Sequence, residues 1–213
     1  MNSHVDQGGE SPFDTSEFPR EVTLKDGGKL TVRPLLREDR DLILKFSASL
    51  PEEERIYLRD DFVNPEVIHS EDWDPSSVDT ISIVATDEGV IVGTARLQRY
   101  PFPWNRHMGN IRVTVSPGYR GKGLARILLG EVFARTLPTG IVMVLAEVVA
   151  GQEDARISLT RLGFDMDTAI KDYHLDPKGN KHDVFIMSND LNQLWDQWRQ
   201  YFETVSGTWH MED

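Results

Sequence analysis

Residues 113–135 read Val-Thr-Val-Ser-Pro-Gly-Tyr-Arg-Gly-Lys-Gly-Leu-Ala-Arg-Ile-Leu-Leu-Gly-Glu-Val-Phe-Ala-Arg. A β-branched run (Ile111, Val113, Val115) ends at Ser116-Pro117-Gly118, which is turn chemistry. Leu124, Ile127, Leu128, Val132 and Phe133 then recur at helical spacing. A strand therefore passes into a helix through a loop that holds Arg120, Gly121, Lys122 and Gly123. The backbone amides at such a helix start have no helical partner, and the helix dipole adds partial positive charge. With two cationic side chains beside them, they make a site for a phosphate or pyrophosphate.

Arg120-Gly121-Lys122-Gly123-Leu124-Ala125, with Val115-Ser116-Pro117 before it, resembles the acyl-CoA-binding signature of the GCN5-related N-acetyltransferases, the GNAT family. A second recurrent feature of that family is a helix that ends in Leu-Gly-Phe after a buried strand. Here Leu162-Gly163-Phe164 ends the pattern of residues 151–162, with Gly163 where a left-handed residue is wanted. Val32-Arg-Pro-Leu-Leu-Arg-Glu-Asp39 is similar to the family's first strand and its entry into the first helix. The resemblance covers residues 30–188. It implies an α/β (α+β) fold: a mixed, mostly antiparallel sheet of about seven strands, with a fourth and fifth strand that are parallel and splay apart. Flanking helices, and here an extra C-terminal amphipathic helix, complete the expected architecture.

The remaining chain fits around this stretch. Residues 1–19 are polar and read as a mobile tail or loosely docked arm, residues 20–190 as the catalytic domain, and residues 191–213 as a C-terminal helix and tail. Two hairpins are expected, one around Asp26-Gly27-Gly28 and one around Asp87-Glu88-Gly89. Between them a helix is expected from Asp39 to Ser49 and a second one opening at Pro51, with Ile56, Tyr57 and Phe62 inside, then a long loop over residues 64–79. The apolar run Ile141–Ala146 reads as a strand buried on both faces. A last hairpin spans 164–187 around Asp176-Pro-Lys-Gly179. Leu191, Leu194, Trp195, Trp198, Tyr201, Phe202 and Val205 form one helical stripe, which would dock on its own domain or form a homodimer contact.

Composition sets outer limits. The chain has 213 residues, 39% of them hydrophobic, and no cysteine. The lack of cysteine excludes disulfides, thiolate metal sites and a cysteine nucleophile. Acids outnumber Lys plus Arg by 35 to 23, a net charge of −12. Such a surface disfavours nucleic acid and anionic lipid, and favours basic partners such as amines. No apolar run approaches the roughly 18 residues of a membrane span, and the start of the chain is polar, so a cytoplasmic protein is expected.

The resemblance also implies the chemistry: an acetyl group passes from acetyl-CoA to an amine. The amides of Gly121, Lys122, Gly123, Leu124, Ala125 and Arg126 would hold the pyrophosphate with Arg120. Val113 and Val115 of the fourth strand would pair with the pantetheine, and Gln152 stands where an asparagine commonly assists. The glutamate usual near the start of the fourth strand is Asn110 here, which cannot take a proton. Glu147, closing the apolar run of the fifth strand, is the substitute general base, a carboxylate expected to face the cleft in a partly dry setting. Alternatively it caps the strand or pairs with Arg156. The tyrosine that often protonates the departing thiolate aligns with Leu159, so Tyr173 or a water would serve. Tyr57 and Arg59 are candidates for the acceptor pocket, although packing and solvation also explain them. His107, His174 and His182 show no ligand spacing, and no metal is expected. The opening strand and Leu50-Pro-Glu-Glu-Glu54 resemble the bacterial protein-lysine acetyltransferase type. A lysine acceptor fits the charge, as does a small amine (a polyamine, amino acid or aminoglycoside). A module that binds acyl-CoA without turnover is the alternative of another class.

Overall fold

The computed structural model describes residues 15–192 other than 56, 59, 71, 72, 76 and 177. One sheet of eight strands runs in the order β1-β2-β3-β4-β5-β6-β8-β7. Its strands are β1 (Arg20–Thr23), β2 (Lys29–Pro34), β3 (Thr80–Asp87), β4 (Val90–Arg99), β5 (Met108–Val115), β6 (Met143–Val149), β7 (Asp165–Leu175) and β8 (Lys181–Asp190). The family's fourth and fifth strands are thus β5 and β6. The count is eight because the β1 hairpin strand adds to the usual set.

All neighbours are antiparallel except β5 and β6, whose parallel ladder lasts only from Met108–Met143 to Asn110–Leu145. Beyond Asn110 the two strands part, while β6 stays zipped to β8 through Val149. The opening lies between Val113-Val115 on one side and Glu147 on the other. This corrects the expectation of a strand buried on both faces. In β6 only Val144, Ala146, Val148 and Val149 are buried, and Met143, Leu145 and Glu147 are half-exposed on the other face. The run is apolar on both sides because that second face lines an opening in the sheet.

The helices are α1 (Arg40–Ser49), α2 (Glu52–Arg55), α3 (Asp60–Val63), α4 (Pro65–Ile68), α5 (Leu124–Thr136) and α6 (Glu153–Arg161). The second helix expected from Pro51 is instead broken into α2 and α3, and the expected loop 64–79 contains α4. Asn64 caps α4 by accepting from the Glu66 amide at 3.0 Å, with Pro65 in the first turn. Trp73, placed by sequence in that loop, is only 4% exposed and lies beneath the Arg40 guanidinium.

The two sides of the sheet carry separate cores. α5 fills one side, where Leu124, Leu128, Leu129 and Val132 pack with Ile83, Ala95, Leu97 and Ile111. α1 covers the other, where Ile43, Phe46 and Leu50 pack with Val84 and Ile91. Gly93 of β4 allows α5 to sit close, since a Cβ there would stand 3.0 Å from both Leu124 Cδ2 and Leu128 Cδ1. α5 also buries a charge pair, Arg135 Nη1 donating to Glu131 Oε2 at 2.7 Å, with Arg20 at 3.1 Å from the same carboxylate. Burial pushes the Glu131 carboxyl up despite both arginines. Phe18 lies on the Arg135 guanidinium at 4.1 Å, so residues just before β1 rest on α5. The stripe expected over 191–205, and any dimer contact through it, fall almost wholly outside the described residues.

Candidate active site

The loop after β5 has the backbone its glycines promise. Gly121 and Gly123 have φ of +73° and +90°, a region other residues enter only with strain. The first helical bond of α5 runs from Ile127 N–H to Gly123 O at 3.2 Å, so the amides of residues 124–126 precede it at the positive end of the dipole. The fit to an anion is therefore good in the backbone. The side chains are already engaged. Arg120 donates through Nη1 and Nη2 to the Glu54 carboxylate at 2.8 and 2.5 Å, and through Nε to Val115 O at 3.0 Å. Lys122 stands 3.0 Å from Asp26 and lies over the Tyr119 ring.

Two participants in this loop were not legible in sequence. The first is Lys25, in the β1–β2 turn. Its amide donates to Lys122 O at 3.0 Å, and its side chain lies across Gly123, within 3.4 Å of where a Cβ would be. The second is Glu54, brought from α2. The only available signal for either was charge, in a chain rich in charge.

On the α1 side of the sheet an open cleft lies over β4 and β5. Its floor is made of three cross-strand pairs, Thr94–Thr114, Arg96–Arg112 and Gln98–Asn110, and Leu58 and Phe62 cover it. Glu147 stands at the edge of this floor. Asn110 Nδ2 donates to its Oε1 at 3.1 Å, and Arg112 Nη2 to its Oε2 at 3.3 Å. The side chain keeps 27% of its surface exposed. The alternative partner, Arg156, is bound to Glu153 instead. Asn110, at the position where a base was expected, thus donates to the Glu147 carboxylate.

The other candidates lie apart. Val113 and Val115 face Ala95 and Gly93 in the β4–β5 ladder, half-buried against the α5 core. Gln152 precedes α6 and accepts the Val149 amide on its side-chain oxygen at 3.3 Å, at the far end of β6. Leu159, aligned with the usual tyrosine, is buried on α6. Tyr173 is 55% exposed on β7, beside an irregularity between Ile170 and His174. Tyr57 sits edge-on to His174 and His182, with centroids 5.4 and 6.0 Å away. His182 Nε2 is 3.1 Å from Asp176 Oδ2, and bonds from Asn180 and His182 hold the Asp176 carboxyl well below the usual carboxylate range. Arg59 lies outside the described residues. Among the described residues, no group of three or more His, Asp or Glu is placed to hold a metal ion, and no helix is long and apolar enough to cross a membrane.

The family model for acetyltransferases (GNAT) matches residues 45–164, more than half of the chain. No curated protein matches it in sequence. Among solved structures, the GNAT domain of S. lividans PAT is similar at TM-score 0.63 and 22% identity, over 82% of this chain and 98% of that one. A ribosomal-protein-alanine N-acetyltransferase from Brucella melitensis is similar at TM-score 0.63 and 23% identity, over 75% and 98%. A chimeric spermidine N-acetyltransferase from Vibrio cholerae is similar at TM-score 0.62 and 19% identity, over 78% and 98%. These are likenesses of fold, and the last two proteins are named for different acceptors, a ribosomal-protein alanine and spermidine.

Proposed function

Because the chain belongs to the GNAT family of acetyltransferases, we propose that it moves an acetyl group from acetyl-CoA to a primary amine by direct attack in a ternary complex. The observation that carries this is the position of Glu147. It stands where β5 and β6 part, at the edge of a cleft, on the sheet that delivers β5 to the anion-binding loop.

Acetyl-CoA supplies an activated thioester. The residues here hold and orient it: the amides of 121–126 receive the pyrophosphate, with Lys25, Arg120 and Lys122 around them. The β5 backbone at Val113–Val115, which has no ladder partner toward β6, accepts the pantetheine amides, and Gln152 borders the same opening. The amine nitrogen attacks the carbonyl carbon, an N–C bond forms, and the C–S bond breaks to release a thiolate. A primary amine of pKa about 10.4 arrives protonated and must lose a proton before attack. Glu147, fixed by Asn110 and Arg112, takes it. A water returns a proton to the sulfur, since Tyr173 stands on β7, two strands from β6. The acceptors open to this reading are a protein lysine and small amines.

The test is turnover followed by free thiol, with acetyl-CoA binding followed by calorimetry. Glu147→Gln keeps the affinity for acetyl-CoA and loses about 10²- to 10⁴-fold in kcat, the usual worth of a general base. Wild-type turnover in that variant between about pH 6 and 9 would remove Glu147 from the role. Tight acetyl-CoA binding without thiol release on any amine would favour a binding module.

A further inference from the structure

We propose that the C-terminal segment, residues 193–205, docks on its own domain by laying its apolar stripe over Phe102 and Trp104 of the loop between β4 and β5. The inference does not depend on the reaction.

The loop Pro101-Phe-Pro-Trp-Asn-Arg-His107 holds two aromatic rings away from the core. Phe102 is 57% exposed and Trp104 is 76% exposed, and among the described residues no large apolar side chain is more exposed than Trp104. The two rings are stacked, with planes 8° apart and centres separated by 6.2 Å. The backbone fixes them in place. Pro101 and Pro103 set its direction on either side of Phe102. Asn105 N–H closes a turn on Phe102 O at 3.0 Å, and Met108 N–H donates to Asn105 O at 2.9 Å. Apolar side chains scattered singly over a surface are ordinary, whereas a stacked pair on a stiff loop is a patch that another surface covers.

The place where the described chain ends says which surface. Leu191, just after β8, is buried, and its N–H donates to Val142 O at 2.9 Å. Val142 N–H donates in turn to His107 O at 2.9 Å. The chain beyond residue 192 therefore sets out two backbone hydrogen bonds from the end of the aromatic loop. Two strand spacings amount to about 10 Å. The three residues from His107 back to Trp104 span at most about 11 Å. Val142, bonded to both sides, is itself 37% exposed, so apolar surface lies along the way.

Residues 193–213 lie outside the described residues, and their sequence supplies the other half of the argument. Leu194, Trp195, Trp198, Tyr201, Phe202 and Val205 fall on one helical face at steps of three and four, a stripe that needs a cover of its own. A helix over residues 192–205 would be about 21 Å long, enough to reach both rings from the exit point. Each surface thus answers the other: a long aromatic stripe, and an exposed aromatic pair within its reach. A second copy of the chain could offer the same stripe. The tether decides between them, because a short linker holds a segment at about millimolar effective concentration, far above that of a partner in dilute solution.

The experiment is amide hydrogen exchange on the full chain, read by mass spectrometry. In the wild type, residues 193–205 exchange at least about tenfold more slowly than residues 206–213, in dilute and in concentrated protein alike. Phe102→Ser combined with Trp104→Ser removes that protection. The amides of β3, β4 and β5 keep theirs in the same variant, which reports that the sheet is intact. If this variant does not fold, Trp198→Ser decides from the other side, with residues 104–107 exchanging several-fold faster than in the wild type. The proposal is overturned if residues 193–205 exchange freely in the wild type, if their protection survives the loss of both rings, or if Trp198→Ser leaves the loop amides unchanged. Protection that appears only as the protein is concentrated would also overturn it, and would make the occupant a second copy.

Discussion

Asn110 carries the clearest lesson at the scale of single residues. It occupies the position where a catalytic carboxylate was expected, and by residue type alone it is a loss. In the folded chain its amide donates at 3.1 Å to Glu147, the carboxylate on the next strand that we propose as the base. Asn110→Leu keeps the volume and removes the donor. It should lower kcat about tenfold, the scale of one hydrogen bond to a charged group, with acetyl-CoA affinity unchanged by calorimetry. An unchanged kcat would mean that Arg112 alone orients Glu147. The sequence offered Glu147 as a carboxylate at the end of an apolar run. It did not offer Arg112 and Asn110 as partners of that carboxylate, because their contact depends on the short β5–β6 register, which joins residues more than thirty positions apart.

Elements fared better where their logic is local. The strand–loop–helix of 113–135 was legible because its turn residues, its glycines and its helical spacing lie within one short stretch. Gly163, at φ +92°, ends α6 as its place in Leu-Gly-Phe requires. The second helix was not legible in its broken form. Pro51 and three glutamates make a good helix start, but the chain must cover a cleft rather than a flat sheet, and it restarts at α3 and α4 to do so. The loop element also makes a sharp prediction. A side chain at Gly123 would be strained at φ +90° and would meet Lys25, and an acid there would face the incoming phosphates. Gly123→Glu should weaken acetyl-CoA binding at least about a hundredfold by calorimetry, by analogy with a lost charge-assisted site plus backbone strain. Equal affinity would sink the loop as the pyrophosphate site.

For the whole molecule, the sheet that parts between β5 and β6 is what joins the loop after β5, proposed to take the cofactor, to the cleft on one face proposed for the acceptor. The fold class followed from two local signatures in the right order, and the first hairpin from its turn residues, whereas the polar floor came only from the tertiary pairing. The bond between Glu54 and Arg120 extends that connection. It fastens α2, which precedes Leu58 and Phe62 of the cleft's cover, to the loop that would take the pyrophosphate. An anion arriving on that loop competes with Glu54 for the same guanidinium, so the two sites cannot fill independently. The enzyme should show an order of addition, with acceptor affinity changed several-fold once CoA is in place and, by reciprocity, CoA affinity changed by the same factor. Titrating the acceptor into free and CoA-saturated protein measures that factor. Glu54→Gln should bring it close to one, so that a single carboxylate far from the reacting atoms sets the sequence in which substrates enter.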